Sequence, residues 1–273
     1  MAYRKRKTEQ YILDFFKVMP DNLLWFPLDI RAAASILQNC SVHTYQAFAK
    51  YHGIDISSVV SYCESEDGCT HKEKGQNKNI ILINNSSDIP KERKIFSLAH
   101  EIGHVVSGHM QILENYKIYH STFKNSHFES EANYFAACVL APTPILYEIK
   151  PEIKKSIHHN FGLSWEASGI ALENYRNYDK NYNIPWHNEI IKIFDNQIEL
   201  LKISTFEYNT ESMPWKRYNK SDEFAGARVD IPRIKIKWEE EPRACAPFQT
   251  EEEKREEAER FSRLEEESWF NWL

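Results

Sequence analysis

A chain of 273 residues, 42% of them hydrophobic and 27% charged, is long enough to bury at least one full core. Only 8 Gly beside 7 Trp, 14 Tyr and 15 Phe exclude a low-complexity or disordered chain. A formal charge of -6 makes the whole protein a poor match for a phosphate backbone, whose non-specific affinity comes from Lys and Arg, so direct nucleic-acid binding is not expected.

The N-terminal basic run Arg4-Lys5-Arg6-Lys7 leads into Thr8, Glu9 and Gln10 and not into an apolar signal core, and it reads as a solvated flexible terminus. No segment approaches about 18 uninterrupted apolar residues, so no membrane association is expected. The 5 cysteines are scattered and lack a C-x-x-C pair, which argues against a disulfide framework or a zinc ribbon and fits a reducing, cytoplasmic setting.

Residues 1–70 read as a helical N-terminal region, with helical patterns through Ile30 to Leu37 and Thr44 to Tyr51. The tract Glu64 to Lys78 is polar and turn-rich. Asn79-Ile80-Ile81-Leu82-Ile83-Asn84 then reads as a short buried strand. Pro90 suits the first turn of a helix that runs to Ser107, with Ile95, Leu98, Ala99, Ile102 and Val106 on its core face and Gly108 placed to end it in a left-handed conformation. A second helix covers roughly Phe128 to Leu140 and stops at Ala141-Pro142, Thr143-Pro144 begins another, and Ser164 caps a helix over Trp165 to Tyr178. Residues 71–184 would form the core and 185–273 an α/β extension. That extension holds an alternating strand at Ile231 to Trp238 and, from Thr250, an acidic amphipathic helix that ends in aromatic residues.

The chemistry lies in His100-Glu101-Ile102-Gly103-His104, an H-E-x-x-H motif on the first of these helices. Residues four apart share a helix face, so both imidazoles can reach one ion. Glu101 is turned about 100° away, which suits a general base beside a metal-activated water better than a ligand. Zinc fits neutral imidazole nitrogens with an open water position. A third ligand must come from elsewhere. His109 misses the metzincin spacing by one residue and reads as a helix-end histidine. On the second helix, Glu129 shares a stripe with Ala132, Asn133 and Ala136, small residues that would allow close approach to the motif helix, whereas Glu131 lines up with Phe135 and Cys138. Glu129 is preferred; Glu131 is the alternative ligand, or a carboxylate outside the ligand set.

The stretch Arg93-Lys94-Ile95-Phe96-Ser97-Leu98-Ala99-His100-Glu101-Ile102-Gly103-His104, followed by Glu129-Ser130-Glu131-Ala132-Asn133-Tyr134-Phe135-Ala136-Ala137-Cys138-Val139-Leu140-Ala141-Pro142, resembles the ImmA/IrrE metallopeptidase family. The resemblance spans roughly residues 79–178. It implies an α+β zincin-like core, a short sheet packed on the motif helix and a second ligand helix, with zinc held by His100, His104 and Glu129. It also implies a regulatory endopeptidase whose protein substrate is a helix-turn-helix repressor of a mobile element, prophage or stress response. In such a site Glu101 takes the proton of the attacking water and returns it to the leaving amine. His120, His127 and Tyr134 are candidates to steady the oxyanion.

Two other readings carry sequence features of their own. Residues 44–62 have an Ala, Gly and Val spacing reminiscent of a DNA-binding helix-turn-helix, but Ile56 to Tyr62 holds no Arg or Lys. A non-catalytic metal-binding interaction protein, such as a toxin-antitoxin component, would keep the histidines without needing Glu101.

Overall fold

Ile12, Leu13, Phe15 and Phe16 are buried on one side of the first helix, α1 (Ala2–Lys17), which carries the basic run. The run therefore belongs to an ordered helix, contrary to the flexible terminus expected from its charge, because the apolar residues one to three turns later dock that helix on the core. Lys5 Nζ lies 5.3 Å from the Tyr134 ring centre and 5.1 Å from that of Tyr182, two cation–π contacts that hold the start of α1 down. The computed structural model describes residues 2–72, 78–115 and 126–211.

After α1 come α2 (Ile30–Ala34), β1 (Cys40–Thr44), α3 (Tyr45–His52), α4 (Ile56–Cys63), β2 (Gly68–Lys72) and β3 (Asn79–Ile83). The remaining described elements are all helical: α5 (Lys91–Val106), α6 (His109–Asn115), α7 (Ser126–Leu140), α8 (Thr143–Ile149), α9 (Lys154–Phe161), α10 (Trp165–Arg176), α11 (Ile184–Ile193) and α12 (Asp195–Glu211). The architecture is α+β, mostly helical around a small sheet. Local signals act where they were read. Pro90 is the N-cap residue of α5, Gly108 adopts φ +72° after it, and the Ser164 side chain accepts from the Ala167 amide to start α10.

The sheet has the order β1-β3-β2, with β1 parallel and β2 antiparallel to the central β3. β1 comes from the segment that reads as helical. β2 comes from the tract that reads as a polar turn. All five residues of β2 are buried, because the strand pairs with β3 along one edge and α5 and α6 pack against it. The two faces of β3 serve different cores, as expected of a strand covered on both sides. Ile81 and Ile83 join Leu98, Ala99 and Ile102 of α5, Phe135, Ala136 and Val139 of α7, and Phe15 and Phe16 of α1. Ile80 and Leu82 join Tyr45, Phe48, Ala49, Val59 and Cys63.

The helix pair α3–α4 thus covers the back of the sheet. Its turn uses Gly53 at φ +66°, and the Asp55 side chain accepts from the Ser58 amide to start α4. The helix-turn-helix spacing at 44–62 is real as geometry. Outward on α4 are Ile56, Ser57, Ser58 and Ser61, none of them cationic.

The described part of the C-terminal extension is helical. Trp186, Ile190, Phe194 and Leu201 enter the larger core, where the Phe194 ring packs edge-on to Phe16 with centres 4.9 Å apart. The strand expected at 231–238 and the acidic helix from Thr250 lie outside the described residues. Cys40, Cys63, Cys69 and Cys138 are free thiols.

Candidate active site

Helix α5 carries His100, Glu101 and His104 because its apolar residues at steps of three and four, Leu98, Ala99 and Ile102, anchor the opposite side. Gly103 sets how close α7 can come. A Cβ built there would stand 3.1 Å from the Ala132 Cα and 3.2 Å from Phe135 side-chain atoms, so the glycine and the alanine let the two helices touch backbone to backbone. That approach brings Glu129 to the histidines. Its Oε2 lies 3.3 Å from His100 Nε2 and its Oε1 lies 3.4 Å from His104 Nε2, while the two Nε2 atoms are 3.1 Å apart.

These separations fit a metal. Ligand atoms about 2.0–2.1 Å from a tetrahedral zinc stand roughly 3.3–3.4 Å from one another, and the donor set of two imidazoles and one carboxylate is a zinc set. Among the described residues, His100, His104 and Glu129 form the one group of His, Cys, Asp and Glu able to converge on an ion. Hydrogen bonds behind the ligands hold both rings: His100 Nδ1 donates to Asn133 Oδ1 at 2.9 Å, and His104 Nδ1 lies 3.0 Å from His109 Nδ1.

Glu101 is buried beside the ligands, and Thr70 Oγ1 of β2 donates to its Oε2 at 2.7 Å. Gly68, at the start of the same strand, is required by proximity. A Cβ there would lie 2.9 Å from the Leu82 carbonyl oxygen and 3.6 Å from Glu101 Cγ. The site opens into a cavity of about 410 Å³ lined by His100, Glu101, Glu129, Asn133, Phe96 and Gly68, among others. Phe96 and Asn133 also line a second cavity of about 600 Å³, whose walls include Ala137, Leu146, Leu163, Ala167 and Ile170.

The charges favour a cation at the site. Burial opposes ionisation of Glu129, but the neighbouring His100 and His104 rings outweigh it and hold the carboxyl down at about 2. Burial likewise opposes a charged His100, yet the neighbouring Glu129 and Glu101 raise it above its ordinary value. Burial lowers His109 to about 4, against the pull of Glu131, so this ring is neutral at neutral pH.

Residues 49–173 match the family model of the IrrE N-terminal-like domain, Peptidase_M78. This segment belongs to the ImmA/IrrE family. The ImmA/IrrE segment contains all four site residues, and its membership of a peptidase family together with the ligand geometry indicates a metallopeptidase. No curated protein shows significant sequence similarity to the chain.

Within the ImmA/IrrE segment, the structure brings together the four residues read from the motif and its second helix. It does not bring Glu131 to the ligand centre; that carboxylate pairs with His109 at 2.9 Å. His109 is more than the end of a helix. It begins α6, with 1% of its surface exposed. Among the oxyanion candidates, Tyr134 is turned away, its hydroxyl donating to Glu9 Oε1 at 3.0 Å. His127 is exposed and does not line the cleft, and His120 lies outside the described residues. Sequence reasoning missed Thr70 and the pairing of Asn133 with His100. The i, i+4 spacing from Glu129 to Asn133 was the available signal for the latter.

Proposed function

We propose that the protein is a zinc-dependent endopeptidase in which His100, His104 and Glu129 hold the metal and Glu101 is the general base. The observation that carries this reading is the convergence of two imidazole Nε2 atoms and both oxygens of the Glu129 carboxylate, in contacts of 3.1–3.4 Å, with an intact, oriented glutamate next to them. Zinc bound there supplies Lewis acidity, polarising the scissile carbonyl and acidifying a water. Glu101 takes the proton of that water at a carboxylate oxygen and delivers it to the departing amine nitrogen. Thr70 keeps the plane of the Glu101 carboxylate fixed through both transfers. Asn133 and His109 keep the two imidazoles aimed inward. A peptide lying across the cleft meets the second, more apolar cavity beyond Phe96 and Asn133, which offers a surface for apolar side chains beside the reacting bond.

In this reading the substrate is a helix-turn-helix repressor of a mobile element, prophage or stress response, and the enzyme acts in the cytoplasm. Family resemblance alone supports the repressor. No described helix is long and apolar enough to cross a membrane.

The test uses the full chain, purified and analysed for metal, and then presented with a peptide library and with a co-expressed repressor from the neighbouring gene. The wild type is expected to carry zinc and to cleave. Glu101→Gln should keep zinc and lose about 10²–10⁴ in rate. Absence of bound zinc, or undiminished cleavage by Glu101→Gln, would overturn the assignment.

A further inference from the structure

We propose that Glu131, His109 and His104 form a hydrogen-bonded chain that fixes which nitrogen of His104 faces the metal, making His109 and Glu131 positioning residues of the site. The inference rests on the zinc assignment above and concerns two residues that are not ligands.

The tautomers follow from counting protons. His109 Nε2 lies 2.9 Å from Glu131 Oε2, and an ionised carboxylate only accepts, so the hydrogen is on His109 Nε2. A neutral imidazole carries one ring hydrogen, which leaves His109 Nδ1 bare. His104 Nδ1, 3.0 Å away, must then be the donor. With its hydrogen on Nδ1, His104 presents a bare Nε2 toward Glu129 and His100, the form that binds a metal. No other neutral arrangement satisfies the chain. A hydrogen on His104 Nε2 would set two bare Nδ1 atoms against each other at 3.0 Å, or, with His109 inverted, a bare Nε2 against the Glu131 carboxylate at 2.9 Å.

The fold builds this contact deliberately far from solvent. Gly108 at φ +72° turns the chain so that the first residue of α6 returns beneath α5. The His109 ring then stacks on Phe128 of α7, with centres 4.4 Å apart and planes 15° from parallel. Both His104 and His109 are 1% exposed, so water cannot substitute for either partner. His100 has no such chain. Its Nδ1 meets the uncharged Asn133 amide oxygen.

The experiment measures zinc affinity of the full chain by chelator competition at one fixed pH. His109→Phe keeps a ring against Phe128 and removes both nitrogens; it should weaken zinc binding by about 10- to 100-fold. Glu131→Gln should cause a smaller loss, with Glu131→Asp recovering part of it. Long-range nitrogen NMR of the zinc-loaded wild type should find hydrogen on His104 Nδ1 and His109 Nε2. The proposal is overturned by wild-type affinity in His109→Phe with only its thermal stability reduced, or by the opposite tautomer at either ring. If His109→Phe does not fold, Glu131→Gln and the wild-type tautomers decide. A wild type that binds no zinc sinks the zinc assignment itself and this inference with it, whereas zinc binding indifferent to both substitutions sinks the inference alone.

Discussion

Glu129 and His100 hold each other charged, and the consequence is a pH signature that reverses when metal is bound. Without metal, Glu129 sits at about 2 instead of 4.5, so its share of stability is present above about 4.5 and is lost as the pH falls toward 2. His100 is raised above 6.5, so its share is present below that value and is lost as the pH rises through the raised one. The pair therefore contributes most to the metal-free protein between about pH 4.5 and pH 6.5. Zinc requires a bare Nε2 on His100, so its uptake releases a proton and its stabilising effect grows as the pH rises through the same region. Urea unfolding of both forms from about pH 4 to pH 8 checks this. The metal-free form should weaken toward the alkaline end while the loaded form strengthens, and parallel curves would contradict the pairing.

The helix contact that delivers Glu129 can be tested with two glycines of opposite character. In α5, Gly103→Ala gains up to about 1 kcal/mol of helix propensity but forces a methyl against the Ala132 backbone, an overpacking penalty of about 1–3 kcal/mol. Net destabilisation and weaker zinc binding are expected, because α7 is pushed outward with its ligand. In α10, Gly169→Ala meets nothing nearer than Lys154 Cδ at 3.9 Å and should stabilise by about 0.5–1 kcal/mol without touching zinc affinity. Urea midpoints and chelator competition on the two variants separate these outcomes. Both helices were legible in the sequence because their signals are local: Pro90 and Gly108 bracket α5, and Ser164 opens α10. The convergence of the candidate ligands was legible for the same reason, since His100 and His104 lie on one helix face and the small residues beside Glu129 mark a close contact. β1 and β2 were not. Cys40-Ser41-Val42-His43-Thr44 alternates over too few residues to stand out and runs straight into α3, which Thr44 caps, and the polar Thr70, His71 and Lys72 are buried only because β3 and α5 meet them there. Thr70 reaches Glu101 across 31 positions and His109 reaches Glu131 across 22, and no local pattern encodes such pairings.

For the whole molecule, the larger core is closed by both ends of the described chain. Phe16 of α1 and Phe26 flank Phe194, while Trp186, Ile190 and Leu201 complete the same cluster. Losing one buried aromatic of this kind costs about 3–5 kcal/mol, against a total stability of about 5–15 kcal/mol for an ordinary domain. A chain that stops after residue 183 should therefore fail to fold, even though it keeps the entire matched segment. Circular dichroism and soluble yield check this, and a cooperative melt from the shortened chain would refute it. The close approach of Gly103 to Ala132 has a further effect on how the site comes into being. Two histidines one helical turn apart exist as soon as α5 winds, so an ion met by the folding chain finds a weak bidentate grip early. The third ligand arrives only when α7 has settled into the groove that the glycine leaves open. On the proposed zinc assignment, firm retention of the ion depends on that packing step, and a chain whose two helices meet out of register would grip it through the two histidines alone.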